Sequence, residues 1–219
     1  VGSWPDANRD DPRRIVAEGY DRMAERYAAW AVREVRDEVR ARYEAHLLER
    51  LPVGARVLEL GCGGGGPTTR RLAARFALTG VDLSARQVAL ARANVPGAAF
   101  VHGDMTRLAF QPRSFDGVAA FYAFLHLPHG ELPGLLRQIA TWLRPGGVLV
   151  ATLAAGADQG TVEPDWLGVP MYFSGEAPAD VRRALAAAGL RVERFQEETI
   201  LEEGRSTVFR WVVARSEGG

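Results

Sequence analysis

Arg56-Val57-Leu58-Glu59-Leu60-Gly61-Cys62-Gly63-Gly64-Gly65-Gly66-Pro67 is the segment from which the rest of the chain can be read. Arg56–Leu60 is a short apolar run of strand length. Six residues, five of them glycine, follow it, and Pro67 then suits the first turn of a helix reaching Arg75. Gly61, Gly63 and Gly66 satisfy the spacing G-x-G-x-x-G. Glycine tolerates positive φ and lets a ligand approach the main chain. Taken alone, the turn fits a bare strand-to-helix corner as well as a ligand cradle, so its neighbours must decide.

Moving toward the C-terminus, Phe76–Val81 reads as a second strand that delivers Asp82, 21 residues after Gly61. Ser84 with Gln87 three residues on is a capping box that opens a helix to about Asn94. Ala98–His102 is a third strand leading into Gly103-Asp104-Met105, and Phe115–Phe121 is a fourth. Pro128–Leu143 is helical, stops at Arg144-Pro145-Gly146-Gly147, and is followed by a fifth, nearly continuous apolar strand, Val148–Ala155. Such runs suit strands covered on both faces. Pro178–Ala188 is a helix with Gly189 as its left-handed cap. Val192–Ile200 and Thr207–Ala214 alternate and form an antiparallel pair across the Glu202–Ser206 turn.

Toward the N-terminus, residues 1–11 read as a frayed polar arm, Pro12–Ala29 as one helix and Ala31–Leu51 as a second. These two helices either cover a sheet face or roof the sheet's carboxyl edge. The pattern predicts an α/β fold: a doubly wound, seven-stranded, mostly parallel sheet, Rossmann-like, with a C-terminal antiparallel hairpin and an N-terminal helical lid. The expected organisation is an arm and helical cap over 1–52 and a ligand-binding domain over 53–219. Within it, 156–177 is expected to be a variable loop or irregular lid over the substrate.

Composition narrows the function. The 27 Lys+Arg balance 27 Asp+Glu, which disfavours a general nucleic-acid binder. All the basic residues are Arg. Without Lys there is no Schiff-base lysine, no phosphate-loop Gly-Lys-Ser/Thr and no Tyr-x-x-x-Lys pair. The single Cys62 excludes an internal disulfide and any multi-cysteine metal centre. No apolar run reaches the roughly 18 residues of a membrane span, and no signal peptide opens the chain, so a cytoplasmic protein with no membrane partner is expected. The start at Val1-Gly2-Ser3 suggests a trimmed or replaced natural N-terminus.

Asp82 and Asp104 sharpen the reading. A carboxylate at the end of the second strand can accept both hydroxyls of a ribose. Asp104, after the third, can accept from an exocyclic amine such as adenine N6 while the Met105 N–H donates to a ring nitrogen. In isolation each has a bland alternative, an exposed turn for Asp82 and a helix cap for Asp104. Three such features at the carboxyl ends of three successive strands share one crevice in an open sheet.

These residues resemble class I S-adenosylmethionine-dependent methyltransferases. Val57–Gly65 is similar to the family's Glu-x-Gly-x-Gly-x-Gly motif, Val81-Asp82-Leu83-Ser84 to its second, Gly103-Asp104-Met105 to its third and Phe115-Asp116-Gly117-Val118 to its fourth. Leu143–Gly147 resembles the turn before its fifth strand. The motifs stand in order over residues 57–152, and the likeness weakens over 1–55 and 156–190. The resemblance implies S-adenosyl-L-methionine as cofactor and S-adenosyl-L-homocysteine as product. It implies that Glu59 and the Gly61, Cys62, Gly63 and Gly65 backbone hold the methionine part, with Gln87 nearby. It further implies Asp82 on the ribose, Leu83 packed on adenine, Asp104 and Met105 on its edge, and Phe121 near the methyl. Asp116 lies at the wrong end of its strand and reads as structural.

Methyl transfer from a sulfonium is an in-line displacement that needs alignment and dryness more than acid–base chemistry. Aromatic faces favour a cationic sulfur by about 0.5–2 kcal/mol. Tyr20 and Tyr27, seven apart on one helix face, are candidates, with plain core packing as the alternative. His126 after strand four is a candidate base, and a packed or capping histidine is the other reading. His126-x-x-His129 lacks a third ligand and is broken by Pro128, so no metal is expected. Trp30, Tyr122, Trp166, Met171, Tyr172 and Phe173 would line an apolar acceptor pocket if their segments fold over the sheet edge, and otherwise fill core. The expected reaction is methylation of O or N of a small organic molecule by a monomer or homodimer. Length and the missing Tyr-x-x-x-Lys argue against a nicotinamide oxidoreductase. Phe121-Tyr122-Ala123-Phe124 is not the Asn/Asp-Pro-Pro-Tyr/Phe of adenine-N6 enzymes, and the one Cys is misplaced for cytosine-C5 chemistry. A non-catalytic adenosylmethionine sensor fits the same residues.

Overall fold

The computed structural model describes residues 11–34, 38–202 and 205–217. The frayed-arm reading of the first eleven residues falls almost wholly outside them. The elements in order are α1 (Pro12–Glu34), α2 (Glu38–Arg50), β1 (Arg56–Leu60), α3 (Pro67–Arg75), β2 (Ala77–Asp82), α4 (Ala85–Asn94), β3 (Ala99–His102), β4 (Phe115–Ala120), a 3-10 turn (Phe124–His126), α5 (Leu132–Trp142), β5 (Leu143–Ala154), β6 (Thr161–Trp166), β7 (Val169–Phe173), α6 (Pro178–Ala187), β8 (Leu190–Glu202) and β9 (Arg205–Ser216). The main sheet runs β3-β2-β1-β4-β5-β9-β8. β1 to β5 are parallel, and β9 is antiparallel to both β5 and β8. The order reverses between β1 and β4, where an open α/β sheet leaves a crevice beyond the strand carboxyl ends.

Alternation along β1 divides the core. Leu58 and Leu60 face α5 and α6, packed with Val118, Leu136, Ile139 and Leu185. Val57 belongs to the opposite face, with Leu47, Leu72, Val150 and Trp211. The period of two therefore puts Glu59 on that second face, buried beneath α3. The two N-terminal helices divide the alternatives between them. α2 covers the sheet through Tyr43 and Leu47, while α1 crosses the carboxyl edge. Asp116 sits at the far end, accepting from the Arg56 N–H at 2.8 Å and from Arg144 at 2.5 Å.

The expected loop at 156–177 is corrected. Thr161–Trp166 and Val169–Phe173 form a separate two-stranded sheet. Leu167 and Gly168, at φ 51° and 80°, make the two-residue turn that hairpins favour. β6 is exposed along most of its length and bulged between Glu163 and Trp166, which erases the alternation a sequence reader looks for. The first helix also continues past the expected break at Ala29–Ala31 to Glu34. Helix α5 begins at Leu132 rather than Pro128, because the 3-10 turn and Pro128 occupy the preceding residues. No helix among the described residues is long and apolar enough to cross a membrane.

Candidate active site

The carboxyl ends of β1, β2, β3 and β4, roofed by α1, enclose a cleft of about 670 Å³ including its mouth. Gly61 and Gly63 form its floor at β1, Asp82 and Leu83 its wall at β2, and Asp104 and Met105 its wall at β3. Gly61 has φ +74°, and a Cβ there would stand 2.4 Å from the Ala123 Cβ, so only glycine fits. The main chain consequently lies open to whatever occupies the cleft.

Asp82 pins this turn. Its Oδ2 accepts the Gly63 N–H at 2.8 Å and its Oδ1 the Ser84 N–H at 2.9 Å. Burial pushes its carboxyl up, and these two bonds only partly offset the rise. Each oxygen keeps a further acceptor direction. Glu59 lies under the turn rather than in the cleft. The Thr69 hydroxyl is 3.2 Å from Glu59 Oε1 and 3.3 Å from the Cys62 carbonyl. Glu59 Oε2 is buried with no hydrogen-bond partner among the described residues. Burial drives this carboxyl up to about 8, against the pull of Thr69. Cys62 and Gln87 are likewise buried behind the turn, with Gln87 Oε1 near Gly63 and Gly64. Gly65 packs on Ala91.

At β3, Asp104 Oδ1 accepts from the Thr106 N–H and hydroxyl, both at 2.8 Å, and Oδ2 from Arg13 Nε at 2.6 Å. Burial raises this carboxyl, but the bonds from Thr106 and Arg13 outweigh it and hold Asp104 below the usual range. Arg13 also bonds Glu131, which with Asp104 keeps its guanidinium firmly charged. Arg13 thus ties the start of α1 across the cleft mouth. Further along, Asp21 accepts from the Ser84 hydroxyl at 2.5 Å and the Arg86 N–H at 3.0 Å, a carboxylate at the N-terminus of α4. The Ser84 hydroxyl in turn caps Gln87 N–H, so one half of the expected capping box forms. The other half does not, because both Gln87 side-chain polar atoms are without partners among the described residues.

Tyr20 and Tyr27 line the cleft from α1, their rings 5.1 Å apart and edge-on. Phe121, Tyr122 and His126 line it from the end of β4. Tyr122 holds φ +57°, a strained backbone of the kind found at ligand sites. The His126 ring is buried, with Nε2 2.9 Å from the Tyr20 hydroxyl and Nδ1 2.8 Å from the Tyr172 carbonyl. Burial lowers its pKa to about 4, so it is neutral at pH 7. Trp30, Trp166, Met171, Tyr172 and Phe173 do not reach the cleft lining. They pack behind Tyr20, Tyr27 and His126 as a wall joining α1 to β6 and β7. Among the described residues no cluster of three or more His, Cys, Asp or Glu is arranged to hold a metal. Arg13 and Val16 also line the cleft, and no local sequence pattern marks Arg13.

A family model described as a methyltransferase domain matches residues 57–147. That span holds the glycine turn, Asp82 and Asp104. Residues 57–147 thus match a methyltransferase domain, the family that the glycine turn and the two aspartates resemble. Trans-aconitate 2-methyltransferase of Methylobacterium nodulans is 36% identical over 169 residues, 72% of this chain and 60% of that one. Phthiotriol/phenolphthiotriol dimycocerosates methyltransferase 1 of Mycobacterium ulcerans is 37% identical over 123 residues, 54% of this chain and 45% of that one. The chain therefore spans less than two thirds of the length of these curated relatives. In fold it resembles magnesium protoporphyrin IX methyltransferase of Synechocystis with bound S-adenosylhomocysteine, at TM-score 0.69 and 19% identity, covering 94% of this chain and 99% of that one. It also resembles the [4+2]-cyclase SpnF at TM-score 0.71 and 18% identity, covering 95% and 97%. A methyltransferase and a cyclase therefore share this fold, which alone does not fix the chemistry.

Proposed function

We propose that this protein transfers a methyl group from S-adenosyl-L-methionine to an oxygen or nitrogen of a small organic acceptor. The observation that carries the reading is the convergence of the open Gly61–Gly63 main chain, Asp82 and Asp104 on one cleft. The residues present fit an adenosyl ligand. Asp82 has acceptor capacity left for two ribose hydroxyls, and Leu83 and Met105 offer apolar surface for a purine. Glu59, buried beneath the turn and held by Thr69, supports the glycine main chain from behind.

When bound, the cofactor supplies a methyl group already activated by a cationic sulfur. The chain's own work is alignment and exclusion of water. Asp82 and the glycine turn fix one end, and α1 roofs the other through Arg13, Asp21 and Tyr20. Tyr20, Tyr27 and Phe121 surround the centre with aromatic surface that tolerates positive charge.

The test is turnover with methyl-labelled S-adenosylmethionine against a panel of small alcohols, phenols and amines. Transfer of label with formation of S-adenosylhomocysteine is expected. Tight cofactor binding with no transfer to any acceptor would instead support a sensor.

A further inference from the structure

The Tyr20–His126 pair has a direction that the structure fixes. A carbonyl oxygen only accepts, so the 2.8 Å contact with Tyr172 O requires the proton to be on His126 Nδ1. In a neutral imidazole the other nitrogen, Nε2, is then a lone pair. The ring is packed between Tyr20, Trp166 and Phe173, at 5.4, 6.4 and 4.9 Å between centroids, where a charged form is disfavoured. The Tyr20 hydroxyl, 2.9 Å away, must therefore be the donor to Nε2. A phenol has one proton. Once it is committed to His126, any hydrogen bond that the Tyr20 oxygen makes within the cleft is one it accepts.

We propose that Tyr20, its proton held by His126, selects acceptors whose reacting atom carries a hydrogen, a neutral hydroxyl or amine, and rejects carboxylates. This deepens the methyl-transfer reading and rests on it. An acceptor O–H or N–H pointed at the Tyr20 oxygen leaves a lone pair of the same atom to face the methyl carbon. In the transfer that lone pair forms the new C–O or C–N bond, the C–S pair returns to sulfur, and the acceptor's proton passes to water. A carboxylate has no proton to offer and would meet the oxygen's lone pairs instead. The charge pattern points the same way. Arg13 is the one cation among the described residues lining the cleft, and Asp104 and Glu131 hold it at the far end. His126 is then a positioning residue that acts through Tyr20, not the base its place in the chain suggested.

Two measurements test this. In protein labelled with 15N-histidine, the long-range 1H–15N spectrum should show His126 protonated at Nδ1 only, and protonation at Nε2 overturns the argument. Labelled methyl donor is then offered with phenethyl alcohol, phenethylamine and phenylacetate, which differ at the reacting group. Transfer to the alcohol or the amine is expected, and Tyr20→Phe should lower its kcat/KM by about tenfold or more, through kcat. His126→Gln, which retains an acceptor for the phenol proton, should keep more turnover than His126→Leu. Transfer confined to phenylacetate, transfer to none of the three while adenosylhomocysteine binds, or an undiminished Tyr20→Phe each overturn the acceptor class. Failure of wild-type protein to bind adenosylhomocysteine tells instead against the methyl-transfer reading.

Discussion

Glu59→Gln should flatten part of the protein's stability–pH profile. Burial holds the Glu59 carboxyl at about 8 in the folded chain, against 4.5 for an ordinary glutamate. A raised carboxyl means that the folded state holds a proton the unfolded state has released. Its stabilisation is fully present below about pH 4.5 and is lost as pH rises through about 8. Between pH 5 and 7 nearly one proton separates the two states. At about 1.36 kcal/mol per pH unit, that makes a loss of roughly 2.5 kcal/mol. Glutamine resembles the protonated acid and can still accept from Thr69, so it lacks this loss. Asp82 also titrates upward and Asp104 and Glu193 downward, which is why the difference between wild type and variant is the quantity to measure. Urea unfolding of both proteins at several pH values between 5 and 8 gives it. The variant should gain on wild type by about 2–3 kcal/mol from pH 5 to 7, or several degrees in Tm for a chain of this size. Parallel profiles would refute the assignment of a buried, neutral Glu59.

Other consequences follow from the same geometry. Gly61→Ala forces a side chain onto a φ of +74° and into the Ala123 Cβ, so it should cost more than about 2 kcal/mol in denaturant unfolding and abolish ligand binding; a neutral effect would mean the turn can move. Arg13→Met breaks the ties to Asp104 and Glu131 at the cleft mouth, and should speed adenosylhomocysteine release in stopped-flow measurements severalfold while leaving the fold intact. Unchanged release would separate Arg13 from ligand exit. Trp166→Ala removes the ring that touches Tyr20, Tyr27, Trp30, His126 and Phe173, and should expose α1 to limited proteolysis, whereas protection equal to wild type would deny it that role.

Local chemistry made much of the fold legible. The strand–glycine–helix corner, the Ser84 cap and the apolar runs of β4 and β5 each depend on neighbours a few residues away, and each appears within a residue or two of its expected place, apart from the glycine-broken start of β5. Asp82 and Asp104 could be placed because strand ends in a parallel sheet share an edge. What stayed hidden depends on distant partners. Arg13 meets Asp104 across 91 positions, and Tyr20 meets His126 across 106. Nothing near His126 in the sequence says that Tyr172 turns a carbonyl toward it. Nor does an exposed, bulged strand such as β6 carry the alternation that would announce it. For the aromatic residues of the variable segments the sequence left pocket lining and core filling both open, and Trp30, Trp166, Tyr172 and Phe173 pack as a wall behind the cleft. Composition does not distinguish these two fates, since both bury rings.

The most direct test is a calorimetric titration of the wild-type chain and Asp82→Ala with S-adenosylhomocysteine. Saturable one-to-one binding is predicted for the wild type, with stabilisation of about 2.7 kcal/mol at 100 times the dissociation constant, and severe weakening in the variant. No heat and no stabilisation with this ligand, or equal affinity in both proteins, would contradict an adenosyl site built on Asp82 and the glycine turn.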